Sequence, residues 1–184
     1  MRPSGTFPGP PSGDAVAVQT TWLPTPLGHL MVTATTEAVL VVQFAPDAAP
    51  PVCSRDTSPL LREAVAQLMA YFVRRLERFD LPLAPRGSAF QQLVWARLLE
   101  IPYGTTVTYG DLANRVGRRG AARAVGGANH RNPIGIVIPC HRVVGRDGTL
   151  TGYASGLERK AWLLALEGAQ QTPPGPSSRG DRPS

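Results

Sequence analysis

Cys140 and His141 stand side by side in "IGIVIPCHRVVG", residues 134–145. A cysteine attacks as its thiolate, so it needs a base, a cation or a helix N-terminus close by. His141 is the nearest base in sequence. In a regular strand, however, neighbouring side chains point to opposite faces. Contact therefore requires that the chain turn after Pro139, or that a water bridge the two side chains. A histidine base also needs a third group to fix its tautomer. Glu167, at the end of the last predicted helix, is a candidate. Buried structural cysteines are commoner than catalytic ones. A Pro-Cys-His-Arg run between an apolar segment and a glycine loop fits that packing role poorly.

A second constellation lies just upstream, in "RRGAARAVGGANHRNP". This predicted helix is poor in large side chains, and alanine and glycine let a backbone approach another surface closely. One long side chain, Arg123, projects from it. A helix that reads bases in the major groove offers several polar side chains, and this one offers almost none. The pattern suits contact with DNA shape and phosphates, with Arg123 as a single probe. It equally suits a small-residue helix packed inside the protein, with Arg123 solvated. The basic neighbours Arg115, Arg118, Arg119 and Arg131, in a chain of net charge +6, favour the DNA reading.

These residues need elements to hold them. From Thr20 to Phe44, "HLMVTATT" and "AVLVVQF" read as strands flanking a hairpin at Thr36-Glu37. Ser58 and Pro59 start an amphipathic helix over 59–79, with Leu61, Val65, Leu68, Phe72 and Phe79 on one face. "DLPLAPRG" reads as a linker. Ser88 and Gln91 form a capping box before "FQQLVWARLLEI", and Thr108 with Asp111 forms another before "YGDLANRVG". A glycine turn at 117–120 then joins this helix to "AARAVGGAN", which is a helix-turn-helix order. "IGIVIPC" reads as a strand. Ser155 with Glu158 is a candidate cap for the last helix, which Gly168 ends. The fold class is α+β: a small amino-terminal domain of sheet and helix, then a mostly helical carboxy-terminal domain. The expected boundaries are a disordered tail 1–18, an α/β domain 19–85, a DNA-binding and active-site domain 86–168 and a disordered tail 169–184. Both tails are rich in Pro, Gly and Ser.

Composition narrows the classes. The chain has 184 residues, 42% of them hydrophobic, enough for a core. Two cysteines argue against a disulfide framework, and Cys53, in a predicted loop, is expected to be dispensable. No apolar run reaches the roughly 20 residues of a membrane helix. The start lacks an apolar signal core, so the cytoplasm is the expected compartment.

"IPCHRVV" resembles the active-site motif of the O6-alkylguanine-DNA alkyltransferases, the methylated-DNA–protein-cysteine methyltransferases. The resemblance continues through "FQQLVW", "IPYGTTVTYGDLA", "AARAVGGANHRNP" and "TGYASGLERKAWLLALEG", covering residues 86–168. It implies direct-reversal DNA repair. Cys140 would take the alkyl group from guanine O6, and from O4-alkylthymine, in a flipped-out base, reacting once without a cofactor. His141 would act through a water as its base, oriented by Glu167. Tyr109 would donate to guanine N3, and Asn132 would brace the turn before the active-site strand. The carbonyls of Cys140 and Val143 would accept from the guanine amino group. The Ala154 amide would face O6, with Tyr153 and Ser155 around the pocket. Arg123 would fill the space of the flipped nucleotide. Ala122, Ala124 and Gly126 would lie against the minor groove, with Arg118 and Arg119 nearby. The implied partner is double-stranded DNA carrying O6-alkylguanine, bound by a monomer without sequence specificity. No membrane partner is implied.

The sequence departs from several members at Ser155, where they have glycine, and at Gly135, where they have proline. Ser155 reshapes the pocket rim and Gly135 removes an apolar wall, while methyl transfer is expected to survive. Some relatives carry zinc in the amino-terminal domain. Cys53 and His29 alone cannot make a four-ligand site, so no structural zinc is expected. Three rivals remain: a non-catalytic alkyl-lesion sensor, a cysteine hydrolase and a plain helix-turn-helix regulator. The first would lack the reactive cysteine. The second would need an oxyanion hole and turnover. The third would need polar residues on "AARAVGGA".

Overall fold

A computed structural model of the chain describes Phe7 and residues 17–45 and 57–169. Cys53, most of the two Pro-rich ends and the loop before Thr57 lie outside the described residues, as do the expectations made for them.

Three strands form an antiparallel sheet in the order β1 (Gln19–Thr25), β2 (Gly28–Ala34), β3 (Val39–Phe44). Pro26 and Leu27 turn β1 into β2, and Gly28 follows at φ 102°. The β2–β3 turn falls at the predicted Thr36-Glu37, closed by the Thr35 amide donating to the Ala38 carbonyl. The outer edge of β3 is covered by the second half of the chain. The Val42 amide donates to the Pro133 carbonyl at 2.9 Å, and the Gly135 amide donates to the Val42 carbonyl at 2.8 Å. A proline at 135 would lose that second bond. Gly135 thus serves backbone pairing: a Cβ there would stand 3.2 Å from the Val42 carbonyl oxygen.

Helix α1 (Pro59–Phe72) lies on the sheet through Leu61, Ala64, Leu68 and Tyr71, with Ser58 as its N-cap. It stops seven residues before the expected end at Phe79. The Arg75 amide donates to Ala70 and the Arg74 amide to Tyr71, while Arg74 adopts φ 58°. This is a Schellman stop with arginine where glycine is usual. Phe79 still reaches the same core, 5.5 Å from the Tyr71 ring, but from beyond the turn. That is why it kept the helical spacing without being helical.

Helix α2 (Ala89–Leu98) begins with the Ser88/Gln91 capping box, and α3 (Tyr109–Arg115) with the Thr108/Asp111 box. A turn leads to α4 (Ala122–His130). Strands β4 (Val107–Thr108) and β5 (Val143–Val144) pair in parallel. Helix α5 (Leu157–Leu166) closes the described chain. Its N-cap is Gly156 at φ 96°, and no side chain caps it. The expected Ser155 cap is therefore wrong: the left-handed glycine turns the backbone before Ser155 can reach the first amides.

The segment expected as the strand "IGIVIPC" is not a strand. Amides of Val137, Ile138 and Cys140 donate to the carbonyls of Gly135, Ile134 and Ile138, giving successive tight turns. Ile136 takes φ 69°. Ile134, Ile136, Val137 and Ile138 are all buried. Core surrounds this coil on every side, so its apolar run carries no period-2 alternation. Buried residues from both halves of the chain meet in a continuous core.

Candidate active site

The coil delivers Cys140 into a single 3₁₀ turn, Cys140–Arg142. The chain turns after Pro139, so neighbours in sequence need not face opposite ways. Two asparagines fix this turn to α4 and its exit. Asn129 Nδ2 donates to the Cys140 carbonyl at 3.3 Å. Asn132 Nδ2 donates to the Ile138 carbonyl at 2.8 Å, while its Oδ1 accepts from the Ile134 amide at 3.0 Å. The thiol is buried, at 6% exposure. Burial pushes its pKa up, and Asn132 and Lys160 pull against that rise. The resting group is a thiol, so its proton must be removed as it attacks.

Behind it, His141 is fully buried. Its Nε2 lies 2.8 Å from Glu167 Oε1. Arg142 meets the same carboxylate with Nε to Oε2 and Nη2 to Oε1, both 2.9 Å. The Gly104 amide donates to Oε2 at 3.2 Å, and the Tyr71 hydroxyl to Oε1 at 2.8 Å. Burial opposes the charge of Glu167, yet donation from His141 and Arg142 holds its pKa down to about 2. An ionised Glu167 requires the proton of neutral His141 on Nε2. That leaves a buried lone pair on Nδ1, which has no partner among the described residues. Burial lowers the His141 pKa, against the pull of Glu167. The result is a neutral imidazole with one unsatisfied acceptor, a suitable proton acceptor for a neighbouring thiol.

On the other side, Tyr109 at the start of α3 lies half-buried, with its hydroxyl donating to the carbonyls of Thr151 and Gly152 at 3.1 and 3.4 Å. Burial raises its pKa, so it keeps its proton. The Val143 carbonyl accepts from Lys160 Nζ at 2.5 Å, and the Thr151 carbonyl accepts from the same ammonium at 2.6 Å. Lys160 is fully buried, which brings its pKa down to about 8. The Val143 carbonyl accepts from Lys160, while the Cys140 carbonyl accepts from both Asn129 Nδ2 and the Val143 amide. Tyr153 is half-buried near the thiol: burial and the Cys140 charge raise its pKa. Ala154 is exposed and Ser155 half-buried at the mouth of this loop. Arg159 braces it from behind, donating to Ser155 and Leu27 carbonyls at 3.1 and 3.0 Å.

Helix α4 shows Arg123 and Ala124 to solvent, with Ala122 and Gly126 half-buried. Gly126 faces the Tyr109 ring, where a Cβ would stand at 3.7 Å. Val125 and Ala128 point into the core, and the Ala128 carbonyl accepts from Trp95 Nε1 at 2.9 Å. One face of α4 is thus packed and the opposite face is open. Arg118 and Arg119 are exposed in the preceding turn.

Sequence reasoning missed Tyr71, Asn129, Arg142 and Lys160. Three of them gave a signal. Tyr71 follows Leu61, Ala64 and Leu68 on the buried stripe of α1. Lys160, Leu163, Leu164 and Glu167 keep i, i+3, i+4, i+7 spacing on α5. A polar residue on a core stripe needs a partner. Arg142 completes the Pro-Cys-His-Arg run. Asn129 gave no signal beyond its type.

Comparison with known proteins agrees with this geometry. A family model described as "6-O-methylguanine DNA methyltransferase, DNA binding domain" matches residues 89–169. A methylated-DNA–protein-cysteine methyltransferase of Methanosarcina acetivorans is 56% identical over 114 residues, 62% of this chain and 73% of that protein. One of Mycolicibacterium paratuberculosis is 60% identical over 104 residues, 56% and 63% of the two chains. The solved O6-methylguanine methyltransferase of Mycobacterium tuberculosis superposes with a TM-score of 0.75 at 40% identity, over 88% of this chain and 97% of that one. A Mycobacterium tuberculosis structure in complex with DNA gives 0.73 at 43% identity, covering 82% and 92%. Among the described residues, no helix is long and apolar enough to cross a membrane.

Proposed function

The chain belongs to the methylated-DNA–protein-cysteine methyltransferase family, a family of DNA-repair enzymes, and from that premise we propose that Cys140 takes the alkyl group of O6-alkylguanine in DNA. The observation that carries the assignment is the buried Cys140, His141, Glu167 cluster, with an open lone pair on His141 Nδ1.

The step is an in-line displacement. The Cys140 proton passes through a water to His141 Nδ1. Sγ forms a bond to the alkyl carbon as the carbon–O6 bond breaks, and the electron pair leaves on the base. Tyr109 donates to guanine N3 and neutralises that charge, which requires its hydroxyl to turn from the Thr151 and Gly152 carbonyls. The Val143 and Cys140 carbonyls accept from the guanine amino group, which at Cys140 requires sharing with Asn129 Nδ2 and the Val143 amide. Tyr153, Ala154 and Ser155 form the pocket rim. The product thioether has no leaving group that water or thiols can displace, so each molecule reacts once and needs no cofactor. O4-alkylthymine presents the same alkyl–oxygen bond and is a second substrate.

An alkylated base inside a duplex is out of reach of a buried thiol, so it must be flipped out, at a cost of a few kcal/mol. The open face of α4 suits the minor groove, with Ala122, Ala124 and Gly126 allowing close approach. Arg123 fills the gap in the stack, and Arg118 and Arg119 hold phosphates in the turn of a helix-turn-helix. Lesions occur in any sequence, and a face without base-reading side chains suits that. The protein acts as a monomer, with residues 19–85 as a supporting domain and 86–168 as the reacting one. A thiol that must stay reduced fits the cytoplasm.

The test is to incubate the protein with duplex DNA containing O6-methylguanine and weigh its peptides. One methyl increment on the Cys140 peptide, absent in Cys140→Ala, is expected. A bound lesion with Cys140 unmodified would make the protein a lesion sensor, and repeated turnover a hydrolase.

A further inference from the structure

The carboxylate of Glu167 is crowded with donors. Oε1 receives Tyr71, His141 and Arg142, and Oε2 receives Arg142 and the Gly104 amide. Four of these five bonds come from the half of the chain that carries the cysteine. The fifth comes from Tyr71 in α1, 96 residues earlier in sequence. Tyr71 is fully buried, with its ring set against Phe72, Phe79 and Tyr103. A phenylalanine would satisfy that packing. The hydroxyl needs a reason, because a buried donor left unpaired destabilises the core. Among the described residues it donates to Glu167 Oε1, the oxygen that also faces His141 Nε2.

We propose that Tyr71 is a positioning residue for alkyl transfer: its hydroxyl fixes Glu167 Oε1 against His141 Nε2 and moderates how strongly the carboxylate holds the imidazolium formed when Cys140 gives up its proton. This rests on the alkyl-transfer reading of the site. Tyr71 exchanges no proton. Burial and the Glu167 charge push its own ionisation far up, so it remains a donor throughout. A donor on a carboxylate disperses its charge and weakens its pull on a second proton.

Other groups set the background. Arg74 and Glu77 follow α1, and Tyr103 lies in the α2–β4 connection. Cys140 and Arg142 flank His141 in the 3₁₀ turn, and Lys160 acts from α5. None of these changes when Tyr71 loses its hydroxyl. The His141 imidazolium then becomes easier to form and harder to discharge, and the acid limb of the reaction moves to higher pH.

The experiment compares wild type, Tyr71→Phe and a protein carrying 3-fluorotyrosine at position 71, all as the full chain. Single-turnover methyl transfer from O6-methylguanine duplex is followed from acid to alkaline pH on the Cys140 peptide. Alkylation of the same peptide by iodoacetamide is followed in parallel, because it reports the relay without DNA. In Tyr71→Phe the acid midpoint moves up by about half a pH unit, a roughly threefold loss of rate on the acid side. The fluorinated phenol, a stronger donor of the same shape, moves it down, and guards against a variant that merely folds poorly. Unmoved midpoints, whether or not the rate falls uniformly, overturn the proposal. If wild type transfers no methyl but the iodoacetamide midpoints shift as stated, the alkyl-transfer reading fails and the role of Tyr71 in the relay stands.

Discussion

Arg142 and Glu167 meet fork to fork, through two hydrogen bonds of 2.9 Å each. The remaining Nη1 donates to the Ile101 carbonyl at 2.6 Å, so the guanidinium is used on three nitrogens. Both side chains are buried. Breaking such a pair from one side leaves a charge with no water to receive it. Arg142→Met should therefore cost about 3–5 kcal/mol in chemical denaturation. Adding Glu167→Gln should recover part of that loss, since the two sites share one network. Additive losses would show that the pair is not coupled.

The depressed pKa of Glu167 has a sign. A carboxyl held down to about 2, against an ordinary 4.5, stabilises the fold above pH 4.5. That contribution drains away as pH falls from 4.5 towards 2. In Glu167→Gln the same acid window should show a shallower loss of stability, measured by thermal melts across pH. The variant should also transfer methyl more slowly, because His141 loses its anionic partner, while its affinity for undamaged duplex stays unchanged. A matching loss of DNA affinity would indicate a disturbed fold.

Gly152 sits at φ 65°, and a Cβ there would stand 2.4 Å from the Tyr109 hydroxyl. Gly152→Ala must displace that hydroxyl from the Thr151 and Gly152 carbonyls as well as strain its own backbone. A cost of about 1–2 kcal/mol is expected, together with slower transfer. Unaltered transfer kinetics would mean that the hydroxyl's resting contact has no bearing on the reaction.

Arg123 is exposed on α4. Arg123→Ala should slow repair of duplex DNA by about tenfold or more, yet leave reaction with free O6-benzylguanine within about twofold, because only the duplex has a base to extrude. Equal losses on both substrates would remove the intercalating role.

Much of this site was legible before any coordinates. Capping boxes at Ser88 and Thr108 read correctly because each depends on residues three apart. Helix α1 read correctly at its start and wrongly at its end, since its stop uses Arg74 in a conformation that sequence associates with glycine. The segment before Cys140 misled because burial on all sides erases the alternation that distinguishes a strand from a coil. Cys140, His141 and Glu167 were found by type and by family likeness. Tyr71 was not: its place on the buried stripe of α1 marks a hydroxyl that needs a partner, but that partner, Glu167, lies 96 residues away.

The Glu167 cluster also has a consequence for the order in which the protein is made. A ribosome emits Cys140 and His141 before it emits Glu167, the C-cap of the last described helix. Until α5 docks, Arg142 has no carboxylate, His141 has nothing to fix its tautomer, and Lys160 does not yet hold the Val143 and Thr151 carbonyls. The nascent thiol is an ordinary cysteine. The site is thus armed late in synthesis, by the last described helix, and a chain cut short before α5 would carry an inert cysteine.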